Sequence, residues 1–148
     1  MKVLVDGDSC PVLDDVLEIA GRSEVSVVVV ADCAHEIPER EGVEVVIADA
    51  GRESADIALA NRAGEGDVVV TNDYGLAALA LARKARALSP RGGEFTPAAM
   101  SGLLMRRHLA AKVRRSGGRT RGPARFTDAD RRRFREKLVA VLRGRACA

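Results

Sequence analysis

Aromatic residues are nearly missing from this chain of 148 residues, which has no Trp, one Tyr and three Phe. A surface that grips nucleic acid by stacking bases on rings is therefore not expected. The core has to be made of Val, Leu, Ile and Ala, as when helices cover a parallel sheet. Cysteine is equally sparse: Cys10, Cys33 and Cys147 are odd in number and have no paired spacing, which argues against a disulfide framework and a zinc site. No apolar run approaches the roughly 20 residues of a membrane span. The N-terminus enters an apolar strand at once and leaves no room for a signal peptide. A cytoplasmic protein with no membrane partner is the expectation. Internal repeats and low-complexity runs are lacking too. Neither GxxxxGKS/T nor GxGxxG occurs, which argues against nucleoside-triphosphate hydrolysis and dinucleotide binding.

What the chain does have is charge, unevenly divided. Residues 1–100 carry 9 Lys/Arg against 18 Asp/Glu, a net of −9, and residues 101–148 carry 15 against 3, a net of +12. An acidic body with a basic tail suits a polyanionic partner held beside a carboxylate site. The plainer alternative is a tail that lies across the body and neutralises it.

The order of elements follows from apolar spacing. Val3 to Val5 form a short run ended by Asp6-Gly7-Asp8, which reads as a central parallel strand. Asp8 or Ser9 would cap the helix that follows, with Pro11 in its first turn, Val12, Val16 and Ala20 on its inner side and Gly21 at its close. Further strands are expected over residues 25–31, 43–48 and 68–71, with a short fifth at Ala87-Leu88. Helices are expected around Ala55, Ile57, Ala58 and Leu59, and from Tyr74 to Arg86. Strand and helix alternate, so the body is an α/β sheet covered on both faces. From Pro97 a long helix with Met100, Leu103, Leu104, Leu109 and Val113 inward leads to the glycine-rich basic loop 116–123. Thr127 then caps a last helix with a core side of Phe134, Leu138, Val141 and Leu142 and a basic side of Arg131, Arg132, Arg133 and Arg135. A single domain is expected, with a body over 1–96 and a basic helical extension over 97–148.

The chemistry concentrates on carboxylates at strand ends. In an open α/β sheet, ligands sit beyond the carboxyl ends of the strands. Asp6 and Asp73 each follow a strand directly, Asp8 stands beside Asp6, and Asp56 is near a helix start facing the same edge. Carboxylates gathered so closely repel unless a cation or proton is shared, and magnesium or manganese is the usual remedy. The plainer readings are that Asp73 caps the helix at Tyr74-Gly75 and that Asp56 is a solvated helix residue. Arg91 and Arg119, with the amides of Gly117, Gly118 and Gly122, can cradle phosphates as a nest does. His35 reads as an ordinary rim residue and Cys10 as a structural thiol.

The segments VDGDSCP, SADIALA, VVTNDYGLA, LSPRGGEFT and RRSGGRTRGPARFTDADRRRF together resemble the YaiI/YqxD family of bacterial proteins, over nearly the whole chain. That family looks like a relative of the PIN and NYN nucleases, which cut RNA with clustered acidic residues and a divalent metal. The resemblance implies a PIN-like three-layer sandwich with a mainly parallel sheet of four to five strands, helices on both faces and a basic helical C-terminal extension. It places the catalytic positions on Asp6, Asp56 and Asp73, with Asp8 joining them as a metal ligand for Mg2+ or Mn2+. Nucleic acid, RNA before DNA, would be held by Arg91, Arg114, Arg115, Arg119, Thr120, Arg121 and Arg125. A homodimer is compatible with the reading. Two competitors stand beside the nuclease. One is a non-catalytic RNA- or ribosome-binding protein whose carboxylates are structural. The weaker one is a haloacid-dehalogenase-like phosphatase, suggested by Asp6-Gly7-Asp8, which wants Thr or Val where Cys10 stands.

Overall fold

The apolar runs become a six-stranded sheet in a computed structural model that describes residues 1–7, 10–31, 37, 40–48, 52–102, 117 and 125–146. The strands are β1 (Lys2–Asp6), β2 (Ser26–Ala31), β3 (Val43–Ile47), β4 (Val68–Val70), β5 (Arg86–Leu88) and β6 (Glu94–Phe95). Their order is β3-β2-β1-β4-β5-β6, parallel throughout except for the β5–β6 hairpin. The helices are α1 (Leu13–Arg22), α2 (Arg52–Arg62), α3 (Tyr74–Ala82), a helical stretch from residue 97 described to 102 (α4), and α5 (Asp128–Ala146).

The central strands are uninterrupted Val and Leu because both of their faces are covered. Val3 and Val5, with Val27, Val29, Val68 and Val70, face α1 and α5, whose Val16, Ile19, Ala20, Phe134 and Leu138 are buried on them. Leu4, Val28, Val30 and Val69 face the other way, toward Ala55 and Leu59 of α2, Leu76 and Ala80 of α3, and Met100. Three layers result. The last helix is thereby part of the core: Phe134 and Leu138 are fully buried and lie four residues apart on one helix side. Among the described residues no helix is long and apolar enough to cross a membrane.

Several sequence expectations shift. The sheet has six strands and not four or five, because Glu94-Phe95 turns back through Gly92 and Gly93 to pair with β5. The residue at the N-cap of α1 is Val12, with no side-chain cap, so neither Asp8 nor Ser9 holds that position. Helix α1 passes through Gly21, and the left-handed position beyond it is taken by Glu24 at φ 53°. Helix α3 stops at Ala82, because Arg86 belongs to β5. Ile57 points outward, 56% exposed. The cap at the last helix is as expected: Asp130 N–H donates to Thr127 Oγ1 at 3.1 Å, and Thr127 N–H donates back to Asp130 Oδ2 at 2.9 Å. Inward positions assigned to Leu103, Leu104, Leu109 and Val113 and the rim role of His35 fall outside the described residues.

Candidate functional site

Strand order decides where a ligand can sit. The chain leaves β1 toward β2 on one side and arrives at β4 on the other, so the order reverses between β1 and β4. At such a switch point the loops diverge and open a crevice at the carboxyl edge. Asp6 is the last residue of β1, one beyond the Val5–Val70 pair, and Asp73 is three beyond it on the β4 side. These two residues therefore lie at the carboxyl edge of the sheet, one on each side of the switch point. Helix α2 enters from β3 and packs across β1 and β2, so its N-terminal end lies at the same edge with Asp56 in its second turn, half-buried.

Asp73 has a structural duty that the sequence had also offered. It is exposed and caps α3, with its Oδ1 accepting from Gly75 N–H at 2.8 Å and from Leu76 N–H at 3.2 Å. Its own N–H donates to the hydroxyl of buried Thr71 at 3.0 Å, which holds the turn. Both cap bonds end on Oδ1. Its Oδ2 accepts no hydrogen bond among the described residues, so one oxygen can cap while the other meets a cation. Asp6 is half-exposed and close enough to Cys10 for its charge to act on the thiol. Burial, helped by the charges of Asp6 and Asp15 and opposed by the Val12 amide, pushes the Cys10 thiol up to about 11. Cys10 is therefore a protonated, structural thiol at neutral pH, as expected.

Among the described residues, no group of three or more His, Cys, Asp or Glu side chains is gathered tightly enough to hold a metal ion. The fold thus brings Asp6 and Asp73 to one edge of the sheet and α2 to the same edge, without closing Asp6, Asp56 and Asp73 into a cage. Asp8 lies outside the described residues.

The basic residues are mostly occupied. Arg91, in the β5–β6 turn, donates to Asp130 Oδ2 at 2.9 Å and to the Arg125 carbonyl at 3.4 Å, and lies 5.8 Å from the Phe126 ring centre. Arg131 flanks the same ring at 5.5 Å. Arg131 also pairs with Asp15, and Arg135 bonds Asp15 at 2.6 Å and Glu18 at 3.1 Å. Lys137 reaches Glu94 at 3.6 Å. Three cations of the last helix, Arg131, Arg135 and Lys137, are therefore paired with acidic residues of the body, as the plainer alternative held for the tail as a whole. Arg125 is exposed. Arg114, Arg115, Arg119, Thr120 and Arg121 lie outside the described residues. Buried Asp15 was not singled out from sequence; only α5 landing on α1 gives it Arg131 and Arg135 as partners.

Residues 4–144 match the family described as "Uncharacterized BCR, YaiI/YqxD family". The chain is 44% identical over 143 residues to a "UPF0178 protein" of Natranaerobius thermophilus, covering 96% of each. It is 41% identical over 145 residues to one of Halalkalibacterium halodurans, covering 98% of this chain and 92% of that one. With one of Exiguobacterium sibiricum it shares 40% over 142 residues, 96% of each. No solved structure matches the chain.

Proposed function

The chain belongs to the YaiI/YqxD family, and from that premise we propose that it is a divalent-metal-dependent nuclease with a PIN-like fold, cleaving phosphodiester bonds in RNA before DNA. The observation that carries the proposal is the placement of Asp6 at the end of β1 and of Asp73 three residues beyond β4, the two strands that flank the switch point. A bound magnesium or manganese ion would activate water and offset charge on the phosphodiester during transfer. Asp6 and the Oδ2 oxygen of Asp73 would hold the ion, with Asp8 and Asp56 as further ligands reached directly or through water. Binding would fall to Arg114, Arg115, Arg119, Thr120, Arg121 and exposed Arg125, with Arg91 orienting Arg125 through its carbonyl. With so few rings, contacts would be to phosphates and read little sequence. The preference for RNA rests on the resemblance to PIN and NYN nucleases alone.

Calorimetric titration with manganese, paired with cleavage of an end-labelled RNA, tests the proposal. Saturable binding and metal-dependent cleavage are expected, and Asp6→Asn should lose both while keeping its fold. Metal-free RNA binding without cleavage would instead select the non-catalytic RNA-binding reading. That reading draws support from Asp73's capping duty, a structural role for one of the carboxylates. Release of free phosphate from a small ester would select the phosphatase.

A further inference from the structure

The sheet has two edges, and they are built differently. Strand β6 is two residues long, and its Glu94 is paired with Arg86 and Lys137. A short, charged edge resists pairing with other chains. Strand β3 is five residues long and carries one charge, Glu44. It reads Val-Glu-Val-Val-Ile, none of its five residues is buried, and Ile47 is 51% exposed. No strand lies on its outer side among the described residues. Helices α1 and α2 both pack on β1 and β2, and a groove of about 330 Å3 opens between α1 and β3, lined by Leu17, Gly21, Val25, Val27 and Val43.

The backbone of this edge can be read in register. Val27 N–H donates to the Gly42 carbonyl at 2.9 Å, and Ala48 N–H donates to the Ala31 carbonyl at 2.9 Å. Residues along a strand alternate in the neighbour they bond. Gly42, Glu44, Val46 and Ala48 therefore serve β2, and Val43, Val45 and Ile47 turn their backbone groups to the open side. Val43 N–H is already committed to the Arg40 carbonyl at 3.2 Å. The Val43 carbonyl and both groups of Val45 and Ile47 have no backbone partner among the described residues.

We infer that β3 is the interface of a homodimer, pairing antiparallel with β3 of a second copy about a two-fold axis through Val45. In that register Val45 exchanges both backbone bonds with the partner's Val45. Ile47 N–H donates to the Val43 carbonyl across the axis, in each direction, so the committed Val43 N–H is not needed. Val43 and Ile47 share the α1 side of the sheet, since they pair with Val27 and Ala31, and each would cover the other across the axis. Charge argues against the neighbouring register on one side. Glu44, the one charge in the strand, lands opposite Val46, whereas a slip that sets Val43 against Val45 puts Glu44 opposite Glu44. Like charges directly opposed destabilise a pair. A strand whose hydrogen-bond pattern, apolar side and single charge all match themselves about one point suits a second copy, and the two-fold closes the assembly.

Light scattering on the full chain across a range of concentrations tests this, with twice the single-chain mass expected. Ile47→Lys places a charge in the apolar strip on a side chain already exposed. Val45→Pro removes an N–H that faces only the open edge. Each should shift the mass to a single chain while keeping the circular dichroism spectrum. Should Val45→Pro fail to fold, Ile47→Lys decides. The register is tested by oxidising a mixture of Glu44→Cys and Val46→Cys chains. Directly opposed, non-hydrogen-bonded residues have Cα atoms about 4.5 Å apart, within disulfide reach. Crosslinked dimer should form in the mixture above the level given by the unsubstituted chain, and not with Glu44→Cys alone. A single-chain mass at every concentration, a dimer that survives both variants, or equal crosslinking by Glu44→Cys alone would each overturn the inference.

Discussion

Asp73 shows how one side chain can carry two duties that different substitutions separate. Asparagine keeps an oxygen for the Gly75 and Leu76 amides, whereas alanine leaves both without it. Asp73→Ala is therefore expected to lose about 1 kcal/mol of stability, and Asp73→Asn much less. Under the nuclease proposal both variants lose manganese binding. Urea melts beside calorimetry check this, and undiminished manganese binding in Asp73→Asn would remove the residue from the site. Gly92 makes a sharper demand. Its φ is 93°, and a Cβ there would lie 2.7 Å from the Arg133 backbone carbon and 2.8 Å from the Phe134 nitrogen. The turn between β5 and β6 is pressed onto the backbone of α5. Gly92→Ala should cost at least about 1 kcal/mol from backbone conformation alone, and more from the contact, read as a lowered urea midpoint.

At the scale of elements, α5 is held by two kinds of force whose magnitudes differ. Phe134 is fully buried against the sheet, so Phe134→Ala should cost about 3–5 kcal/mol. Arg135 bonds Asp15 and Glu18, yet it is a third exposed and Asp15 keeps Arg131 as a second partner. Arg135→Ala should therefore cost only about 1 kcal/mol. Chemical denaturation of the two variants compares them directly. Equal losses would mean that α5 is held by charge and not by packing. Packing is expected to dominate, because the helix supplies four side chains, Phe134, Leu138, Val141 and Leu142, to the core under β1.

The whole molecule answers to pH and salt. Burial works to raise the Asp67 carboxyl, but the Lys2 ammonium and the amides of Gly64 and Lys2 outweigh it and hold it below its ordinary value. The Thr127 amide does most to lower Asp130, against burial and with help from the Thr127 hydroxyl, Arg133 and Arg91. A depressed folded value means that the native state releases these protons more readily than the unfolded chain. The stabilisation is thus present above the unfolded value, near about 3.9, and drains away as pH falls through the folded values. Melting temperature should fall on acidification below about pH 4, and less steeply in Asp67→Asn, which should already melt lower at neutral pH. An equally steep fall in that variant would clear Asp67 of the effect. Salt separates the two parts of the basic extension. If Arg119 and Arg121 hold single-stranded RNA, replacing both by Ala should reduce the slope of log affinity against log salt by about 1.4. Arg131→Ala should lower the melting temperature and leave that slope unchanged, because its partner is Asp15.

What the sequence determined by itself was local. Uninterrupted Val runs can be buried only as strands covered on both faces, Thr127 followed by Asp130 caps a helix by chemistry within one turn, and an acidic body with a basic tail is legible from counting. The placement of Asp6 at a strand end was legible too, whereas Asp73, expected straight after a strand, stands three residues beyond β4 as the cap of α3. Only the tertiary structure decided which strands are neighbours. The order β3-β2-β1-β4 puts those two aspartates on either side of one switch point, and no local pattern encodes an order set by long-range pairing. The two-residue β6 escaped notice because so short a strand exists only through its partner, β5. The arginines of α5 likewise looked like a free basic side until α5 lay on α1, where buried Asp15 takes two of them. Charge composition fixes how many partners a side chain could have, and packing chooses among them.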